Sequence, residues 1–332
     1  MAKPSTDDIR SVLAELGSDP GELTLSPIPG GASRETWLVE SVGGGDSAGR
    51  WVLRRDPEGS VSLVPMREEF ALIEAAAAAG IPVPPPLACE AQGGRFGSAG
   101  MLVGFVEGSS VAPRLLRKPE YERARRRLPG QLAEALARIH SVPPATLAGV
   151  LPQAPTDPAA AQISEWERQL DEIGEPLPAV ELGLRWLRAN APEPADPGLV
   201  HGDFRLGNFI VSEAGLEAVI DWELAHLGDP AEDLGWLCIR SWRFGNDELP
   251  VAGVGALEDF LATYRAAGGR DLDPDRIRYW EVFGNVKWAV ICARQAHYHL
   301  TGVRRSHELA SLGRRICEPE WDLLQLIQGA GD

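Results

Sequence analysis

One stretch restricts what this chain can fold into more than any other: LVHGDFRLGNFIVSEAGLEAVIDW, residues 199–222. Two short apolar runs, 209–211 and 218–220, flank a polar segment with a glycine at 212–216, the pattern of a β-hairpin. Paired strands lie about 5 Å apart. Asn208, just before the first strand, and Asp221, just after the second, are therefore expected side by side. An amide oxygen and a carboxylate that converge in this way suit a hard cation such as Mg2+, completed by phosphate and water. Asp203 lies on the same loop, five residues before Asn208. It is expected to point elsewhere, placed to accept a proton from a substrate hydroxyl. Taken singly, each of these residues reads as well as a turn or hairpin-capping residue. Together they give the layout of phosphoryl transfer, with one aspartate as base and an asparagine and a second aspartate on metal.

The rest of the chain bounds this reading. At 332 residues it is long enough for a large domain or two lobes. Hydrophobic residues make up 44% and charged residues 24%, which supports a real core. No apolar run approaches the roughly 20 residues of a membrane helix. The first residues, MAKPSTDDIRSVLAELG, read as a short helix without a signal peptide's apolar stretch, so no membrane partner and a cytoplasmic location are expected. The net charge of -16 argues against nucleic acid as a partner. Cys89, Cys238, Cys292 and Cys317 form no CxxC pair, and free core thiols are expected.

Residues 23–41 read as strand, glycine turn and strand, with 50–55 as a third strand. A helix is expected from about 66 to 79, ending at Gly80 as C-cap. IPVPPP, at 81–86, must be extended, and 98–106 reads as strands of the same sheet. From 120 onward the periodicity is helical, with helices at 120–140, a pair within 160–190, and again over 256–330. The expected fold is α+β and bilobal, with a small antiparallel sheet and one main helix over 1–107. A larger, mostly helical lobe follows over 108–332, carrying the β-rich insert at 199–222.

HGDFRLGN with IDWE downstream resembles the aminoglycoside phosphotransferase family, relatives of choline kinases and more distantly of protein kinases. GGASRETW, VLRR, REEF, LARIHS and GDPAEDLGWL follow in the order seen in that family, so the resemblance spans nearly the whole chain. It implies a protein-kinase-like fold, ATP and Mg2+ as cofactors, and a small hydroxyl-bearing molecule as acceptor. It implies Asp203 as base or orienting group, and Asn208 and Asp221 on Mg2+. Asp221 then takes the place of the aspartate in the kinase DFG motif. His201 is expected to buttress the loop. Asp233 either accepts backbone bonds from the loop or complements a helix dipole. Gly30, Gly31 and Ser33 lie on a turn where backbone N–H groups can meet phosphate. The phosphate-clasping lysine is missing: Arg54, or else Arg55, stands there, with Glu69 or Glu68 as its acidic partner. Arginine keeps the charge on a larger fork. Val103, Phe105 and Val106 are expected at the interlobe hinge that reads adenine.

For the acceptor, residues 276–315 carry eight basic side chains against two acidic ones. A basic wall made of these helices would favour an anionic acceptor, such as a hydroxyacyl-CoA, over a cationic antibiotic. RYWEVFGNVKWAVICARQAHYHLTG, at 278–302, also resembles the kinase-like domains joined to acyl-CoA dehydrogenases. Trp242, Arg243, Trp280, Lys287, Trp288 and Arg294 are candidate pocket residues, the three tryptophans reading more readily as core. Two other readings stand beside this one: a kinase-fold binding module without turnover, and an antibiotic-resistance kinase.

Overall fold

The computed structural model describes residues 3–28, 34–42, 49–57, 64–92 and 94–329. A helix, α1 (Thr6–Glu15), leads into strands β1 (Glu22–Pro27), β2 (Glu35–Val42) and β3 (Arg50–Arg55). Helix α2 (Met66–Ala78) follows, then β4 (Pro86–Glu90) and β5 (Gly100–Gly104). The five strands form one sheet, ordered β1-β2-β3-β5-β4, and every pairing is antiparallel.

Strand alternation sorts β3 between two cores. Leu53 packs with Ile9, Val12 and Leu13 of α1 on one face, and Trp51 lies against the same cluster. Val52 packs against the α2 side, where Leu72, Ile73 and Ala76 are buried. Side chains two apart share a face, so Arg54 follows Val52 toward α2. Arg55 follows Leu53 and bonds Glu35 at 2.8 Å and the Phe96 carbonyl at 3.2 Å. In α2, Glu69, Leu72, Ile73 and Ala76 recur at helical spacing on the buried side. Glu69 is thereby turned inward, while Glu68 is only half-buried.

Beyond β5 the chain is mostly helical: α3 (Ala112–Arg117), α4 (Glu122–Ser141), α5 (Pro158–Ile173) and α6 (Pro178–Ala189). A β-rich segment follows, comprising β6 (Gly198–Val200), β7 (Phe209–Ser212), β8 (Gly215–Val219) and β9 (His226–Gly228). Then come α7 (Ala231–Cys238), α8 (Leu257–Ala266), α9 (Pro274–Leu300), α10 (His307–Gly313) and α11 (Cys317–Gln328). The fold is α+β, a small antiparallel sheet with its helix joined to a larger helical lobe. The hairpin turn is shorter than the sequence pattern indicates. β8 already starts at Gly215, because Leu216 N–H donates to Gln131 of α4 and draws the chain into the strand early. β6 and β9 pair antiparallel over three residues each, too short to leave a periodic signal.

Packing of α9 fixes the geometry beneath the hairpin. Its buried face runs from Ile277 to Ala293 and packs on α5, α6, α7 and α11. Gly235 lets α7 lie directly on α9, since a Cβ there would come within 2.3 Å of the Trp280 backbone.

Candidate active site

The hairpin places the acidic groups as its strand pairing dictates. Ile220 N–H donates to the Asn208 carbonyl at 2.9 Å, closing the base of the hairpin with Asp221 next in line. Asp221 adopts φ 70, a left-handed conformation that aspartate tolerates better than most residues. Its carboxylate stays partly exposed.

Asp203 does not point away from Asn208. The Asn208 amide nitrogen donates to Asp203 Oδ2 at 2.6 Å and to the Asp203 carbonyl at 3.0 Å. The tight turn makes this contact, because Asn208 N–H also closes onto the Arg205 carbonyl at 3.0 Å. With its nitrogen engaged, the Asn208 side chain presents its oxygen as the remaining acceptor. Asp203 Oδ1 accepts from the Trp236 indole at 2.8 Å and from Arg205 Nε at 2.9 Å. The carboxylate that lies nearest the acceptor hydroxyl in the kinase layout is therefore held by an indole, an amide and a guanidinium.

The loop itself is anchored from below. Asp233 accepts from His201 N–H at 2.7 Å and Gly202 N–H at 2.8 Å, and pairs with His140 at 3.1 Å. Burial opposes the Asp233 charge, but His140 and the backbone donors outweigh it and hold its pKa below the usual carboxylate value. His201 is fully buried, and its Nδ1 accepts from Asp203 N–H at 3.1 Å. Burial pushes the imidazole below its ordinary pKa, so the ring is neutral. It packs 4.6 Å from the Trp222 ring. Gly202 takes φ +80, and a Cβ there would sit 2.2 Å from the Leu224 carbonyl. Only glycine permits this approach between the Asp203 loop and the chain after Asp221.

On the sheet side, Arg54 Nη1 bonds Glu69 at 2.7 Å and Nη2 reaches Asp221 at 3.1 Å. The second Glu69 oxygen is taken by Arg34, which also bonds Asp56 at 2.8 Å and the Val64 carbonyl at 2.7 Å. Gly30, Gly31 and Ser33 lie outside the described residues. Val103 is buried in β5, paired with Val52 of β3. Phe105 follows, half-buried, its N–H on the Arg50 carbonyl at 3.2 Å and its ring under the Arg50 guanidinium at 4.2 Å. Val106 is half-buried.

The residues expected in an acceptor pocket divide. Trp242 is buried but lies beside the loop, its ring beneath Arg205 at 4.5 Å and 4.8 Å from that of Trp288. Trp280 is instead part of the core between α7 and α9, and its indole donates to Asp229 at 2.7 Å. Lys287 is 2% exposed and sits under the loop, donating to the Gly202 carbonyl at 2.7 Å and pairing with Glu232 at 3.3 Å. Arg243 folds onto the Cys238 carbonyl and Glu281, and Arg294 bonds Gln169 over the Trp166 ring. Arg276 is held by Asp229, Arg278 by the Leu326 carbonyl and Arg315 by Glu318. The four basic residues of α9 are thus taken up by internal partners and form no wall, while Arg304, Arg305 and Arg314 lie exposed outside that helix. A run of like charges in sequence does not reveal partners supplied by other helices. Trp236, Arg205 and Arg34 are the site residues that the sequence reading did not single out. The GDPAEDLGW motif contains Trp236, but nothing in its spacing gives the direction of the indole.

The fold and the matched family define the class of this chain as a phosphotransferase. The chain belongs to the Phosphotransferase enzyme family, whose sequence model matches residues 24–280. Acyl-CoA dehydrogenase family member 11 of Gallus gallus is 31% identical over 73% of this chain and 31% of its own length. The chain spans about a third of the length of such curated relatives. Among solved structures, a candidate aminoglycoside phosphotransferase from Ralstonia eutropha jmp134 superposes with TM-score 0.76 at 23% identity, covering 97% of this chain and 99% of its own. The streptomycin–ATP–APH(2″)-IIa ternary complex superposes with TM-score 0.58 at 16% identity, covering 90% and 96%.

Proposed function

We propose that this chain transfers the γ-phosphoryl group of Mg-ATP to the hydroxyl of a small anionic metabolite, with a hydroxyacyl-CoA as the favoured acceptor. The observation that carries the proposal is the convergence of Asp203, Asn208 and Asp221 on one hairpin, opposite Arg54. Asn208 through its oxygen and Asp221 through its exposed carboxylate would hold Mg2+. The donors are oxygens, and the cation now nearest Asp221 is the Arg54 guanidinium, so the set suits a hard divalent ion. When bound, that ion would neutralise charge on the β- and γ-phosphates.

In the transfer, the acceptor oxygen bonds to the γ-phosphorus while the bond from that phosphorus to the ADP oxygen breaks. The hydroxyl proton passes to Asp203 and then to solvent. Arg54, steadied by Glu69, would clasp the phosphates, with Gly30, Gly31 and Ser33 approaching from the glycine turn. Val103, Phe105 and Val106 would border the adenine, and the boundary between the lobes would fall at 107–108. His201 and Asp233 would act only on the loop. The name of the ternary complex includes ATP, which supports that nucleotide. The acyl-CoA reading is supported by relatives whose names give acyl-CoA as substrate and which match this chain over about a third of their length.

The test is ADP release from Mg-ATP with hydroxyacyl-CoAs, hydroxy acids and kanamycin, with Asp221→Ala as control. The expected result is turnover with a hydroxyacyl-CoA that Asp221→Ala abolishes while Tm stays near wild type. Near-native turnover by Asp221→Ala would sink the metal assignment, and turnover of kanamycin alone would sink the acceptor.

A further inference from the structure

Arg205 is the cation bonded to the carboxylate of Asp203. Its Nε donates to Asp203 Oδ1 at 2.9 Å, and its Nη1 lies 3.4 Å from the Leu206 carbonyl. The guanidinium stacks 4.5 Å over the Trp242 ring, and 24% of the side chain remains exposed. Stacking and the ion pair together hold a long side chain that would otherwise sample many rotamers. Behind it, the Trp242 and Trp288 rings lie 4.8 Å apart. Both of their indole N–H groups are buried without a hydrogen-bond partner. Buried donors are nearly always satisfied in folded proteins, and each exception calls for an explanation. Arg205 thus lies between Asp203 and a pair of packed indoles.

Asp203 meanwhile has little to offer a second cation. Its oxygens accept from Trp236, Arg205 and Asn208, which leaves one lone pair on Oδ2 for the acceptor hydroxyl. An ammonium group beside that hydroxyl would meet the guanidinium and find no further lone pair on Asp203. A carboxylate or thioester carbonyl would meet a planar donor fork suited to oxygen. We propose that Arg205, stacked on Trp242, is a specificity-determining residue of the acceptor site. It selects acceptors that carry an oxygen function near the reacting hydroxyl and turns away hydroxylated amines. The inference rests on the reading of Asp203 as the acceptor-side carboxylate. It accounts for an anionic preference without the basic wall that Arg276, Arg278, Lys287 and Arg294 of α9 fail to supply.

Three acceptors of one chain length test it: 4-hydroxybutyrate, 1,4-butanediol and 4-amino-1-butanol, each with Mg-ATP and the full chain, read by ADP release. For the wild type, kcat/KM is expected to be at least about tenfold higher for the carboxylate than for the amine, with the diol between. Arg205→Gln is expected to collapse that ratio by about tenfold or more, mainly through the acceptor KM, with the ATP KM unchanged within about twofold. Arg205→Lys, which keeps the charge and loses the fork, is expected to retain part of the preference. A wild type without preference for the carboxylate, including one that uses none of the three while still hydrolysing ATP, overturns the inference alone. So does an Arg205→Gln variant with the wild-type ratio. A wild type that neither binds nor hydrolyses Mg-ATP overturns the underlying phosphotransferase reading with it.

Discussion

On the sheet side of the cleft Glu69 is held by two arginines, Arg34 and Arg54, whereas on the helical side Asp203 is held by an indole, an amide and one guanidinium. The first arrangement is built from ion pairs. Arg54 divides itself between Glu69 and Asp221, and under the proposed function its bond to Asp221 would be exchanged for a phosphate oxygen. The second is preorganised by the neutral indole and amide donors, and its loop is tied to buried Asp233 and Lys287 through the backbone. Fixed dipoles aimed at a reacting centre need no rearrangement at the moment of reaction. Under the proposed function, nucleotide capture would be the adaptable half of this site and acceptor activation the rigid half.

Four substitutions test that division, and the largest effect is expected at Asp203. Asp203→Asn keeps the shape and removes the charge, so kcat should fall on the order of 10²- to 10⁴-fold. ATP affinity, read by nucleotide binding, should stay nearly unchanged. If nucleotide binding is lost together with turnover, Asp203 organises the loop for both halves and the division fails.

Lys287→Met comes next. It takes one of two cationic partners from the buried Glu232 carboxylate, leaving His226, and removing one partner of a buried pair costs up to about 3–5 kcal/mol. Denaturant unfolding should show a loss of that size, while relative kcat/KM among acceptors should not change. A shift in acceptor preference without loss of stability would return Lys287 to the pocket.

Arg54→Met sharpens the other side. A hydrogen bond to a charged group contributes about 1.5–3 kcal/mol, equivalent to roughly 10- to 150-fold in affinity. The ATP KM should rise by that factor, with a smaller change in kcat. An unaltered ATP KM would mean that the phosphates are held elsewhere.

The smallest effect concerns pH. Burial opposes the His226 charge, but the Glu232 carboxylate 3.1 Å away prevails and raises the imidazole pKa above its usual 6.5. A raised folded pKa stabilises the fold below the unfolded value, and that stabilisation is lost as pH rises through the folded pKa. Tm should therefore decline modestly above about pH 6.5, and His226→Gln should flatten that decline. An identical decline in the variant would assign it to other groups.

Local pattern was enough for the elements that carry the chemistry. The hairpin and the α2 helix were legible from spacing, while the choices between Arg54 and Arg55 and between Glu69 and Glu68 stayed open in the sequence and fall to Arg54 and Glu69 in the structure. The hairpin and the helix are each a consequence of backbone geometry over fewer than about 15 residues, which composition and spacing express directly. β6 and β9 escaped detection because three residues cannot establish a period. The acceptor side misled for a different reason. Lys287 and Arg294 look like pocket residues in a row of α9, yet α9 is wrapped by α5, α6, α7 and α11. Its chemistry is spent on Glu232, Gly202 and Asp229.

By itself, then, the sequence determined the α+β class, the order of the elements, and the hairpin with its amide and two carboxylates. Tertiary structure decided which charges remain available. Arg276, Lys287 and Arg294 became internal fasteners, while Arg205, one unremarked residue of the HGDFRLGN loop, became a partly exposed cation at Asp203. Charge is written in the chain, but whether a charge is spent or free depends on partners tens of residues away. Only the packing of one helix on another brings those partners within hydrogen-bond reach.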